Sequence, residues 1–221
     1  MNQSLVLHYI YDPMCGWCYA ASPLVAQLPK IPEISVQLHA GGMWTGDQIR
    51  HITPQLREFI LRNDERIADI SGIEFGAGYR NDLLANKDAV LDSEPPIRAI
   101  RTAERMGIPA ASMLAEIQKA HFIQGREVNQ EATLVDISQK LGLSATIFAQ
   151  QFNSAYAKDD AKAHIEQTRG LMNSIKAQGF PTFVLENSNN QQWSLVPHTE
   201  FYGNPDAWTQ WLKQAALRAQ S

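Results

Sequence analysis

Apolar positions along this chain change their period several times. Leu, Val, Ile and Tyr crowd the stretch Leu5–Tyr11 until Asp12-Pro13 halts it, and such a run predicts a buried strand. From residue 16 to about 28 the spacing of Trp17, Leu24, Val25 and Leu28 suits a single helix packed on a sheet, stopped by Pro29 and Pro32. Ile34, Val36 and Leu38 then alternate with Ser35, Gln37 and His39, the period of a strand, and Gly41-Gly42 closes it. The amino-terminal part therefore reads as strand, helix, strand.

Residues 44–170 contain no convincing strand and several helical stretches. A helix over 98–106 ends at Gly107-Ile108-Pro109, one over 110–124 ends at Gly125, and one over 130–141 follows Asn129 and stops at Gly142. Ser144 caps a short helix reaching Phe152, and a further helix runs from Asp160 towards Ala177, with the acids Asp159-Asp160 at its start. Residues 71–94 are rich in Gly, Asn and Asp and read as loop, with Pro95-Pro96 as the stop. Beyond Gly179 the pattern returns to strands at 182–185 and 193–196, joined by a turn at 187–190. Asn204-Pro205-Asp206 then opens a last helix carrying Trp208, Trp211, Leu212 and Ala215. The expected organisation is two parts of one domain, 1–43 and 171–221, around a helical block at 44–170.

A chain of 221 residues can bury a sizeable core without a stabilising disulfide. Nineteen basic against twenty-three acidic residues, with no basic block, give no footprint for nucleic acid. Met1-Asn2-Gln3-Ser4 leads straight into the first apolar run without the pattern of a signal peptide, and no apolar run is long enough to span a bilayer. A soluble, cytoplasmic protein with no membrane partner is expected.

The two cysteines sit together in Cys15-Gly16-Trp17-Cys18, where the first strand gives way to the first helix. A thiol there meets unpaired backbone N–H groups and the positive end of the helix dipole, which stabilise the thiolate that attacks disulfides. Residues three apart on a helix occupy neighbouring faces, so the two sulfurs can close a bond with little backbone movement. Two blander readings compete: the cysteines as small buried apolar residues, or as half of a zinc site. Against zinc, no second Cys-x-x-Cys follows, and His8, His39, His51, His121, His164 and His198 are scattered; no metal is expected.

Two motifs, Tyr11-Asp12-Pro13-Met14-Cys15-Gly16-Trp17-Cys18 and Gly179-Phe180-Pro181-Thr182-Phe183-Val184, together with the order of elements, carry a resemblance. Over nearly its whole length the chain resembles the DsbA-like branch of the thioredoxin superfamily, especially its cytoplasmic, FrnE-like members. The resemblance implies an α/β thioredoxin fold with a large all-helical insertion after the second strand. It implies a thiol-disulfide oxidoreductase, a disulfide reductase or isomerase, in which Cys15 is the exposed nucleophile and Cys18 the more buried resolving thiol. Pro181 is expected to be cis, and the backbone of Phe180 to pair with substrate as an extra strand would. Met14 and Trp17 join Phe180 and Pro181 as candidate substrate-binding residues; Trp44 reads as core, and Asp12 either tunes the thiol or caps the strand end.

The expected substrates are proteins or small molecules carrying disulfides or dithiols. No bound cofactor is implied, but an external thiol such as glutathione or thioredoxin would have to reset the pair. Gly16-Trp17 departs from the Gly-Pro of thioredoxins and the Pro-His of periplasmic oxidants. Tryptophan offers a single indole N–H where histidine could support a thiolate, so an intermediate or reducing potential is expected. Two alternatives stay open. One is a glutathione-dependent transferase or isomerase of the kappa or 2-hydroxychromene-2-carboxylate isomerase type, whose members usually carry serine at the place of Cys15. The other is a redox-switched binding module.

Overall fold

The computed structural model describes residues 5–220. Strand β1 (Leu5–Tyr11) is buried along nearly its whole length, as its apolar run requires. The helix after it is broken into α1 (Gly16–Ala20) and α2 (Ser22–Val25), followed by a 3-10 turn at Leu28–Lys30. This corrects the single helix expected from 16 to about 28. Pro23 has no N–H for the Tyr19 carbonyl, and in a continuous helix its ring would collide with that carbonyl. Strand β2 (Ile34–Ala40) then pairs in parallel with β1, from Leu5 opposite Ile34 to Tyr11 opposite Ala40.

The middle of the chain is mainly helical, but it also holds a two-residue ladder between β3 (Arg50–His51) and β4 (Val90–Leu91), which the sequence pattern does not announce. Between them lies α3 (Pro54–Ser71), whose start is fixed by the Thr53 hydroxyl accepting from the Leu56 N–H and by Pro54 in the first turn. Then come α4 (Glu94–Arg105), α5 (Ala110–Phe122), α6 (Glu131–Lys140), α7 (Ala145–Phe152) and α8 (Ala155–Ser174). Pro95-Pro96 lies in the first turn of α4 rather than acting as a stop, because the first-turn N–H groups have no intrahelical acceptor to lose. Ser144 caps α7 as expected. Helix α8 begins five residues before Asp160, capped by Ser154. Asp160 therefore sits inside the helix, where it accepts from Arg101 at 3.2 Å and Arg105 at 2.7 Å and ties α8 to α4.

Strands β5 (Thr182–Asn187) and β6 (Gln192–Leu195) form the expected hairpin, and α9 (Pro205–Gln220) closes the chain. The main sheet has the order β2-β1-β5-β6, with β5 antiparallel to both neighbours. On one face Tyr9 stacks on Phe183 and Phe183 meets the edge of Trp208. Trp208 is fully buried, and its indole N–H donates to the Leu24 carbonyl at 3.1 Å, fastening α9 to the segment that carries the cysteines. Among the described residues no helix is long and apolar enough to cross a membrane.

Candidate active site

Strand register brings the two motifs together. The β1–β5 ladder ends with Ile10 opposite Thr182, so Pro181 and Phe180 continue beside Tyr11 and Asp12, where β1 turns into the cysteine motif. The Phe180–Pro181 peptide bond is cis, as the resemblance implied. Cys15 occupies the N-cap of α1 with extended backbone, and its sulfur lies 3.6 Å from the Phe180 carbonyl, 165 positions away in sequence. The Phe180 ring needs a residue without a side chain beside it: a β-carbon on Gly41 would lie 2.3 Å from the ring.

The two thiols differ in access. Cys18 has no exposed surface and Cys15 keeps 6%. Cys15 is thus less open than the sequence suggested, because the loop before the cis bond folds over it, yet it remains the more accessible of the two. Burial pushes the Cys18 thiol well up, and its hydrogen bond with Cys15 adds to this; the Asp12 N–H, donating to the Cys18 sulfur at 3.4 Å, works the other way. Cys18 therefore rests as a neutral thiol.

Asp12 does more than either role foreseen for it. Fully buried, its carboxylate accepts from the Met14 N–H at 2.8 Å, the Met43 N–H at 2.6 Å and the Ser93 hydroxyl at 3.1 Å. Burial raises its pKa while these three donors pull it down. One carboxylate thus joins the cysteine loop, the segment after β2 and the start of α4. Arg169 of α8 holds the same segment by donating to the Gly41 and Gly42 carbonyls.

A second buried carboxyl, Asp64 of α3, backs the motif from the other side. A β-carbon on Gly16 would stand 2.9 Å from Ile67 Cδ1 and 3.0 Å from Asp64 Oδ1, so this glycine lets α3 approach the cysteine pair. Asp64 Oδ2 has no hydrogen-bond partner. Burial pushes its carboxyl up to about 7, against the opposing influence of the Tyr79 hydroxyl and Arg80. The signal for Asp64 is present in the sequence: it stands four residues after Ile60 and three before Ile67, a charge inside the apolar stripe of a helix.

Beside the cis bond opens a groove of about 440 Å³ lined by Trp17, Phe180, Pro181, Thr182, His198 and Tyr202, with Arg66 and Ile70 of α3 on its other wall. The Trp17 ring stacks on Tyr202 at 5.7 Å, and the Tyr202 hydroxyl donates to the Trp17 carbonyl at 3.2 Å. Trp17, Phe180 and Pro181 are therefore brought together. Met14 is not part of this surface: its N–H is held by Asp12, and its side chain packs into the core with 6% exposed. Trp44, half-buried, packs against the core as expected. Tyr202, His198 and Arg66 escape sequence reasoning because nothing local in their segments marks them; only the fold brings them to the groove.

With this geometry in view, comparison with known proteins is specific. The profile of the DSBA-like thioredoxin domain matches residues 6–201. The cytosolic disulfide reductase DsbM from Pseudomonas aeruginosa is 39% identical and superposes with a TM-score of 0.87, covering 96% of this chain and 98% of that one. The same protein solved with GSH gives a TM-score of 0.86 at 39% identity, over 96% of this chain and 99% of that one. A protein from Nitrosomonas europaea put forward as a protein disulfide isomerase is 23% identical, covers 99% of this chain and 100% of its own, and has a TM-score of 0.78. A 2-hydroxychromene-2-carboxylate isomerase shares the fold at 14% identity and a TM-score of 0.60, over 96% and 98% of the two chains. No curated protein sequence matches.

Proposed function

Because the chain belongs to the DSBA-like thioredoxin domain family, we propose that it is a thiol-disulfide oxidoreductase working as a disulfide reductase through Cys15 and Cys18. The observation that carries this reading is the meeting of the Cys15 sulfur with the Phe180 carbonyl at the cis Phe180–Pro181 bond, two residues that also line a groove with Trp17. The relative at 39% identity is described as a disulfide reductase and was solved with GSH, which favours the reducing direction and a glutathione-type thiol as the resetting partner. That relative is also described as cytosolic, a compartment where a reduced dithiol persists.

In this mechanism the Cys15 thiolate attacks one sulfur of a substrate disulfide; that bond breaks, and the leaving half takes a proton from solvent. Cys15 is now joined to the other half. Cys18, held as a neutral thiol until then, gives up its proton, attacks the Cys15 sulfur and releases the second half as a thiol. Two electrons pass from the dithiol to the substrate, and a Cys15–Cys18 disulfide remains. Two external thiols return it to the starting state. Phe180 and Pro181 position the substrate backbone, while Trp17 and Tyr202 supply the apolar wall.

Cys15→Ser is expected to abolish reduction of a small disulfide. Unchanged turnover in that variant would end the proposal, and glutathione conjugation or isomerisation surviving it would favour the transferase and isomerase reading.

A further inference from the structure

The groove beside the dithiol carries an uneven charge. Among the described residues Arg66 is the one charged side chain that lines it; the other wall residues are aromatic, aliphatic, hydroxyl-bearing or backbone, together with His198. Burial lowers the pKa of His198, so at neutral pH the imidazole adds no charge. Arg66 is exposed, and no ion pair or hydrogen bond engages it among the described residues. Its helical neighbour Arg62 is already paired with Glu58, and Arg101 and Arg105 are committed to Asp160. A free guanidinium thus stands over an otherwise uncharged, half-apolar groove, on a protein whose net charge is -4. A strongly hydrogen-bonding cation with no internal partner, facing the place where substrate lies, favours a carboxylate on that substrate.

We propose that Arg66 sets the substrate class of this site, selecting small disulfides that carry a carboxylate a few bonds from the reacting sulfur over neutral or cationic ones. This rests on the dithiol reading given above. The substrate lies with one sulfur against Cys15 and its chain along Trp17 and Pro181, and its carboxylate reaches the guanidinium across the groove. The chemistry is unchanged: the reduced dithiol supplies two electrons, the substrate disulfide becomes two thiols, and the Cys15–Cys18 disulfide forms. Arg66 touches neither sulfur; it raises the local concentration of anionic substrate and fixes its orientation.

The test is a single-turnover comparison of the pre-reduced protein with three small disulfides that differ in their end groups: dithiodipropionate, bis(hydroxyethyl) disulfide and cystamine. The quantity read is the ratio of rate constants for the anionic and the cationic disulfide. At a separation on the order of 7 Å in a water-like medium, reversing the charge should change this ratio by about tenfold or more at low salt, and by less as salt is added. Arg66→Glu is expected to lower the ratio by that factor, and Arg66→Lys to hold it within about twofold of the wild type. A ratio unmoved by Arg66→Glu, or an equal loss on all three disulfides, would overturn the proposal. Failure of the underlying reading is separately visible: bis(hydroxyethyl) disulfide would then react as fast with Cys15→Ser as with the wild type.

Discussion

Replacing Asp64 by Asn should make the protein more stable above neutral pH and leave it little changed in acid. The carboxyl is buried behind the cysteine motif with one oxygen unpartnered, and it titrates near 7 in the folded chain against a usual value of 3.8. Below about pH 4 both folded and unfolded chains keep the proton, so the group contributes no pH dependence. Between about pH 4 and 7 the unfolded chain gives up its proton while the folded chain retains it, and folding stability falls as pH rises. Above about 7 both forms are ionised and the full penalty stands. Three pKa units at 1.36 kcal/mol each amount to about 4 kcal/mol, of which Asn, which cannot ionise, should recover a large part. Urea unfolding of the reduced wild type and of Asp64→Asn, measured from pH 4 to 8, reads this directly. The stability difference between the two should widen in favour of the variant across that interval and level off above it. A difference constant within about 1 kcal/mol over the whole range would show that Asp64 ionises freely, and the account of its burial would be wrong.

Three other outcomes follow from the same geometry. Asp12→Ala strands the Met14 and Met43 N–H groups and the Ser93 hydroxyl, which should cost about 2 to 4 kcal/mol in chemical denaturation and slow disulfide exchange by loosening the cysteine loop; unchanged stability would mean that water replaces the carboxylate without loss. Cys18→Ser should accumulate a stable mixed disulfide between Cys15 and one half of the substrate, seen as an adduct by intact-mass spectrometry under non-reducing conditions, and its absence would remove Cys18 from the resolving role. Trp208→Ala should cost about 3 to 5 kcal/mol in thermal or urea unfolding, since it empties a fully buried site and frees the Leu24 carbonyl; a loss below about 1 kcal/mol would mean that the surrounding side chains refill the space.

Much of the fold is legible in the chain because its strands are short and strongly patterned. Leu5–Tyr11 coincides with β1, and the Asn204-Pro205-Asp206 start of α9 is a matter of local chemistry that no distant contact alters. Local signals mislead where one residue serves opposite ends of an element. Pro95-Pro96 can stop a helix or begin one, and only the preceding Ser93, held by Trp44 and Asp12, shows that a helix begins there. Pro23 is tolerated because the chain kinks in front of it. Helix α3 is hidden by its composition: the stripe of Leu56, Ile60 and Ile67 is thin, and the charge that interrupts it belongs to the site. At the site itself, the cysteines and Pro181 announce themselves through spacing and residue type. Asp64 is marked only as a charge inside an apolar helical stripe, and Ser93, Arg66 and Tyr202 carry no local mark at all, because the relation of all four to Cys15 exists only through strand register and helix packing, which no short segment encodes.

The central claim is that Cys15 and Cys18 form a dithiol poised to reduce. Its most direct test is the equilibrium reduction potential of the pair, obtained by titration in glutathione buffers with thiol alkylation as the readout. A value near that of thioredoxin, about -270 mV, is the predicted result; a value near -120 mV, at the strongly oxidising end of the family, would contradict it.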